Sequence, residues 1–279
     1  MAAEAVDGLA ARAGGLYVDA TFGAGGHTRA ILARGGRVIA FERDPWAVLP
    51  PELAAGVTLV RRNFADLDLA LDELGVARVD GVLFDLGVSS MQFDRPERGF
   101  SFTHDGPLDM RMNDREGPTA YDLLARSSES ELADLLFTYG EERAARRIAR
   151  AIVAARGAGR LPQRTSELAR LISGSVHRPG RRERTHPATR SFQALRIVVN
   201  DELGALERGL AGAVARTRAG ARIVAISFHS LEDRIVKRRF REDPGLRPLT
   251  KKPLLPGDDE LARNPRARSA KLRVAERLP

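Results

Sequence analysis

YVDATFGAGGHT, residues Tyr17 to Thr28, is a short apolar run that ends in an aspartate and then breaks into a glycine-rich turn. The order reads as a strand, a nucleotide cradle with little or no phosphate to hold, and a helix start. Glycines at 23, 25 and 26 permit positive φ and bring backbone N–H groups against a ligand, and a helix from about His27 adds its partial positive end. A Walker loop needs Lys and then Ser or Thr after its last glycine; His27 and Thr28 stand there instead, which argues against ATP hydrolysis. Thr28 also occupies the third glycine position of the dinucleotide fingerprint, where a larger side chain hinders close helix packing. Asp19 would repel a pyrophosphate and suits a ligand that carries an ammonium group, as S-adenosylmethionine (AdoMet) does.

Working outward, RVIAF (Arg37 to Phe41) is an apolar strand pattern ending at Glu42, which lies 19 positions after Gly23. That separation is close to the one expected of an acid that accepts from both ribose hydroxyls. Further strands are read at Val57–Val60 and Val79–Asp85, with helices from about His27, from about Pro45 and over Ala65–Leu74. Alternation of this kind implies an α/β fold, a parallel sheet with helices on both faces and ligands beyond the carboxyl ends of its strands. Asp19, Glu42, Asn63-Phe64 and Asp85 stand at or just past four such ends.

After Asp85 the alternation stops. Gln92–Asn113 reads as a long irregular loop, and loops of this length in compact domains are commonly functional. Thr119–Arg156, Thr165–Ser173 and Ser191–Arg218 are helical in pattern, with TAYDLL and TSELARLI each offering a cap. HRPGRRERTHPATR (His177 to Arg190) reads as a mobile basic loop. RIVAISF (Arg222 to Phe228) then re-enters the sheet, and Ser269–Glu276 alternates like a last, antiparallel edge strand after a Pro-rich tail. The expected organisation is one discontinuous α/β domain, 1–104 with 196–279, interrupted by an inserted all-helical domain, 105–195.

The 279 residues carry a formal net charge of +8 and contain no cysteine. Disulfides, thiolate zinc sites and cysteine nucleophiles are thereby excluded, and the positive balance favours a polyanion such as nucleic acid. Only Lys237, Lys251, Lys252 and Lys271 are lysines, a bias that changes the kind of cation but not the sign. His104, His177 and His186 lack metal-ligand spacing, so no metal is expected. The first residues, MAAEAVDGLAAR, are not a secretory signal, and no apolar run reaches the roughly 20 residues of a membrane span. A cytoplasmic location with no membrane partner is expected.

DLGVSSMQFDRPERGFSFTHDGPLDMRM, Asp85 to Met112, resembles the bacterial 16S ribosomal RNA cytosine-N4 methyltransferase family, also called MraW or RsmH. VDATFGAGGHT, RIARAIV, SFQALRIVVNDEL, SFHSLEDRIVK and NPRARSAKLR fit the same family, so the likeness runs from about Tyr17 to the end. It implies a Rossmann-like AdoMet-dependent sheet with a helical insertion that recognises substrate, and methylation of a cytidine amine in the decoding centre of the small ribosomal subunit. The family's cofactor contacts fall on Gly25, Gly26, His27, Glu42, Phe64, Asp85 and Gln92. The family usually has Asp where Glu42 stands, and its amino-terminal His-containing stretch has no counterpart before Ala5.

Cytosine N4 is a poor nucleophile because its lone pair is delocalised into the ring, so an acceptor for its proton is needed beside an aligned methyl. Asp85 is the first candidate, with a turn cap as its competing role; Asp109 is the second, with a salt bridge to Arg111 competing. His229, Arg234, Lys237 and Arg238 are candidate RNA contacts, with Arg239 and Arg241 beside them and Arg178, Arg181, Arg182 and Arg184 on the basic loop; a structural role competes for His229 and a solvated face for each basic cluster. Phe93, Phe100 and Phe102 offer either a wall for a flipped base or core packing. Competing functions are a non-catalytic RNA-binding ribosome-assembly protein that retains the fold, an amino methyltransferase acting on DNA or protein, and a dehydrogenase.

Overall fold

A computed structural model describes residues 1–176 and 186–279. Arg178, Arg181, Arg182 and Arg184 lie outside the described residues. The chain forms two compact units, Met1–Gly87 with Leu203–Pro279, and Val88–Glu202.

The first unit is a seven-stranded sheet: β1 (Leu16–Asp19), β2 (Arg37–Phe41), β3 (Val57–Val60), β4 (Val79–Asp85), β5 (Thr217–Ser227), β6 (Leu246–Pro248) and β7 (Lys271–Arg277). The strands lie in the order β3-β2-β1-β4-β5-β7-β6. β1 to β5 are mutually parallel, and β7 runs antiparallel to both β5 and β6. Chain direction across the sheet reverses between β1 and β4, so the crevice for a ligand lies at the carboxyl ends of those two strands.

Side chains alternate between the two faces of the strands, and each face has its own core. Val18, Ile39, Phe41, Val82, Phe84 and Ala225 pack with the helices Leu67–Glu73, Glu202–Arg216 and Ser230–Glu242. Tyr17, Val38, Ala40, Leu83, Val224 and Val274 pack with the helices Ala2–Leu9 and Gly26–Leu32. Burial on both faces is why these strands read as nearly continuous apolar runs. Among the described residues no helix is long and apolar enough to cross a membrane.

Two local expectations are corrected. The segment after Pro45 is not a helix: Pro45, Pro50 and Pro51 remove donors, and only a 3-10 turn at Pro51–Gly56 follows. β7 is antiparallel as expected but interior, because Leu272, Arg273, Val274 and Ala275 are all buried. The edge belongs to β6, whose Pro248 lacks an N–H to donate and is tolerated there.

The second unit packs the helices Ala120–Arg126, Glu129–Gly140, Ala145–Gly157, Thr165–Val176 and Thr189–Asn200 around one core. Capping boxes at Thr119/Asp122 and Ser128/Glu131 start the first two of these helices. The long loop is part of this core. Phe100, Leu108, Met110 and Met112 are buried in it, with Phe93 and Phe102 packed against it. Phe102 also meets Phe192 edge-on at 4.9 Å, so the aromatics of the loop serve packing. Asn200 closes the loop, accepting from the Met112 N–H at 2.7 Å and donating to the Met110 carbonyl at 2.7 Å. That packing draws the division at Gly87/Val88 and Glu202/Leu203, where the sequence reading draws it at 104/105 and 195/196.

Gly99 sits in this loop at φ +71, and a Cβ there would lie 2.1 Å from the Pro107 carbonyl oxygen. Gly117 has φ +75 and open space around it. Gly117→Ala should therefore cost only backbone strain, about 1 kcal/mol, whereas Gly99→Ala should cost at least twice that, about 2 kcal/mol or more. Urea denaturation of the two variants checks the difference; equal midpoints would mean that the loop at Gly99 yields freely.

Candidate functional site

The site grows from the carboxyl end of β1. Asp19 is fully buried, and its carboxylate accepts from the Thr28 hydroxyl at 2.7 Å and the Thr21 N–H at 3.1 Å. Those bonds tie the strand end to the first turn of the helix Gly26–Leu32 and set the loop between them. Asp19 thus serves the loop, and the expectation that it faces a ligand ammonium is corrected. Burial pushes its pKa above the ordinary carboxylate value, against the pull of His27, Thr28 and Thr21.

Gly25 caps the helix in the left-handed region at φ 77, and a Cβ added at Gly26 would meet nothing within 4 Å. Open space in front of a helix amino end is what a ligand approaching the backbone requires. Glu42, just past β2, accepts from the Gly23 N–H at 2.9 Å and the Asp44 N–H at 2.8 Å. Each carboxylate oxygen retains a lone pair for a further hydroxyl. Burial raises the Glu42 pKa, with the two backbone N–H groups opposing it. Asp44, itself buried and receiving the Trp46 N–H at 3.0 Å, is a site residue that the sequence reading missed. The signal for it was the Asp-Pro turn that begins two residues after the acid.

Asp85 ends β4. Its N–H donates to the Thr21 hydroxyl at 2.7 Å, and its Oδ2 lies 3.1 Å from His27 Nε2. Asp85 Oδ1 and His27 Nδ1 are buried and have no hydrogen-bond partner among the described residues. Each of these orphans leaves a hydrogen-bonding position that a ligand can satisfy. Phe64, past β3, stands edge-on to Phe84 at 5.5 Å, and a Cβ at Gly209 would come within 2.6 Å of its ring. Glycine at 209 is thus what lets the helix Glu202–Arg216 seat against that ring.

The remaining predicted residues are placed as follows. Gln92 and Asp109 belong to the second unit. Gln92 is buried, with Oε1 accepting from the Ser89 N–H at 3.0 Å. Asp109 is held by Arg111 through Nε at 2.8 Å and a terminal nitrogen at 2.7 Å, the competing role foreseen for it. In the first unit His229 is the N-cap of the helix Ser230–Glu242, its Nδ1 accepting from the Glu232 N–H at 3.4 Å. Glu232 answers by accepting from the Phe228 N–H at 2.8 Å. Arg234, Lys237, Arg238 and Arg241 are exposed on that helix at three- and four-residue spacings, which put them on one stripe.

A sequence profile described as the MraW methylase family matches residues 1–278. The chain belongs to that family. Among similar proteins is "Ribosomal RNA small subunit methyltransferase H" of Parvibaculum lavamentivorans, 49% identical over 301 residues, covering 99% of this chain and 88% of that protein. A protein of the same name from Geobacter sulfurreducens is 51% identical, covering 100% of this chain and 97% of that one. A solved structure titled as a putative rRNA-methylase from Clostridium thermocellum covers 96% of this chain and 89% of that one, at 12% identity and a TM-score of 0.44.

As a methylase of this family the chain uses AdoMet. The residues present suit such a group: carboxylates at the ends of β2 and β4, an open glycine cradle, and an unsatisfied Asp85–His27 pair. In that pair, burial opposes charge on the imidazole, but the hydrogen bond and charge of Asp85, with the charge of Asp19, hold the His27 pKa above its ordinary value.

A raised folded-state pKa means that the stabilisation from this pair is fully present below the unfolded value, about 6.5, and is lost as pH rises through the folded value. The stability gap between wild type and His27→Gln should accordingly narrow on going from pH 6 to about pH 8. In Asp85→Asn burial outweighs what is left, so the imidazole should titrate lower than in wild type. Proton NMR of the His27 ring reads this directly, and an unmoved titration would show that Asp85 does not set its charge.

Proposed function

We propose that this chain transfers a methyl group from AdoMet to the exocyclic N4 of one cytidine in the 16S rRNA of the small ribosomal subunit, acting in the cytoplasm. The relatives named as ribosomal RNA small subunit methyltransferase H support the RNA substrate. The observation that carries the amine chemistry is the Asp85 carboxylate, one oxygen engaged by His27 and the other buried with no partner.

The bound cofactor supplies an electrophilic methyl on a sulfonium. Gly25, Gly26 and His27 would hold its methionine part, Glu42 the ribose and Phe64 the adenine face. Asp85 would take a hydrogen bond from the cytosine amine, raising electron density on N4, and would receive the proton that N4 gives up when the methyl carbon passes to it from the sulfonium sulfur, which is left as a thioether. His27 sets the orientation of that carboxylate. Asp109, paired with Arg111, holds the loop that carries it, and Asp85 is the acceptor of choice. The inserted unit, with its loop 88–113, is the substrate-recognition part.

Arg234, Lys237 and Arg238 hold phosphates of the RNA, and His229 acts as the cap that starts their helix. Arg238 is already paired with Glu207 at 2.9 Å, which weakens its pull on a phosphate relative to Lys237.

Transfer of radiolabelled methyl from AdoMet to small subunits that lack the modification, with the product nucleoside identified by mass spectrometry, tests the reading. N4-methylcytidine at one site supports it; another product points to a different amine, and AdoMet binding without consumption points to an assembly protein. Asp85→Asn should lower kcat by about 10²- to 10⁴-fold, the usual share of general-base catalysis, with RNA affinity retained. Lys237→Ala should weaken RNA binding and lower the salt slope by about one, leaving AdoMet affinity unchanged. A salt-independent effect would remove Lys237 from the RNA path.

A further inference from the structure

The sheet has a second concave feature, at the amino ends of β1, β4 and β5 and so at the end opposite the glycine loop. β4 and β5 pair Val79 with Thr217 and Gly81 with Arg222, so Asp80 alone faces the four residues 218–221. The extra residues leave the ladder as an exposed excursion that turns at Gly220, φ +77. Excursions of this kind re-aim side chains at strand ends. Beside it lies a cavity of about 280 Å³, lined among others by Arg12, Tyr17, Asp80, Arg218, Gly220 and Arg222.

Three guanidinium groups and one carboxylate make up the charge around this cavity, and the carboxylate is spoken for. Asp80 accepts from the Leu16 N–H at 2.8 Å and from Arg218 at 2.6 Å. Those bonds, with the charge of Arg12, hold its pKa below the ordinary carboxylate value despite partial burial. Arg222 donates through one nitrogen to the Gly8 carbonyl at 3.2 Å. The Arg12 guanidinium is exposed and makes no side-chain hydrogen bond among the described residues, while the Arg12 N–H is fixed on the Tyr17 hydroxyl at 3.0 Å. Arg12 is therefore anchored by its backbone and open at its charged end.

We propose that this cavity binds a phosphate group, carried either by a nucleic acid backbone or by a small phosphorylated molecule. Two uncompensated positive charges match a phosphate better than a carboxylate, and guanidinium forks suit its oxygens. The volume fits a phosphate with little more than a sugar attached, since sites for larger ligands begin at about 300 Å³. The site is separate from the methyl-transfer reading and stands or falls without it.

The test uses the full chain with the cofactor site saturated by S-adenosylhomocysteine, titrated with inorganic phosphate by phosphorus NMR, then with ribose 5-phosphate and with a short oligocytidylate. In Arg12→Gln the phosphate affinity should fall roughly tenfold, the worth of one charged hydrogen-bonding partner, and further in Arg12→Gln/Arg218→Gln. S-adenosylhomocysteine affinity should not move, which also reports that the variants are folded. A parallel fall for the oligonucleotide identifies a nucleic acid backbone as the source; a fall for ribose 5-phosphate alone identifies a small molecule. Phosphate binding that is absent in wild type, or equal in wild type and Arg12→Gln, overturns the proposal.

Discussion

A single buried carboxylate organises the carboxyl end of the sheet. Asp19 gives up solvent entirely, and its two bonds, to the Thr21 N–H and the Thr28 hydroxyl, reach both ends of the glycine loop. Without that brace, nothing in GAGG itself would choose one loop conformation, since glycines are the residues with the most conformations to lose. With it, Thr21 presents its hydroxyl to the Asp85 N–H and Gly23 presents its N–H to Glu42. The ends of β1, β2 and β4 are thus locked to one another through a loop of small residues. A buried carboxylate with satisfied hydrogen bonds is costly to place and hard to move, which suits a part whose task is geometry.

That brace explains why the other two acids differ in character. Glu42 is buried and receives two backbone N–H groups, so it is an acceptor of fixed direction. Asp85 is one-third exposed, with one oxygen on His27 and the other unsatisfied. The first arrangement suits recognition of hydroxyls, the second an exchange of protons. The histidine adds a control that a carboxylate alone lacks: its charge depends on Asp85, and the hydrogen bond between them depends on that charge.

The strands of this protein were readable because both faces of the sheet are covered. Val38–Phe41 and Val82–Phe84 are apolar without alternation, and no helix competes for runs so short between turn residues. β6 was not readable, since three residues containing a proline have no pattern; its place comes from pairing with β7. The glycine loop, Glu42, Phe64 and Asp85 could be located from strand ends alone. The role of Asp19 could not, because a carboxylate before glycines looks the same whether it faces a ligand or turns inward. His229 shows the same limit. SFHSLEDR carries acids three and four residues after the histidine, a cap signal, but in the sequence alone a structural histidine and a base contact weigh about equally there.

Charge completes the account. The carboxyl end of the sheet gathers Asp19, Glu42 and Asp85, the first turned inward onto the loop. The amino end gathers Arg12, Arg218 and Arg222 around one neutralised aspartate. A net +8 is therefore not a uniform coat. Many arginines are also spent on local pairs, such as Arg216 with Asp68 and Asp72, Arg273 with Asp233 and Arg247 with Glu276. The exposed ones among these pairs add little stability but cancel the field around them. What reaches an approaching polyanion is the remainder, on the exposed stripe that includes Lys237 and at the open guanidinium of Arg12. The distribution of acids, more than the count of bases, decides where this protein is attractive to phosphate.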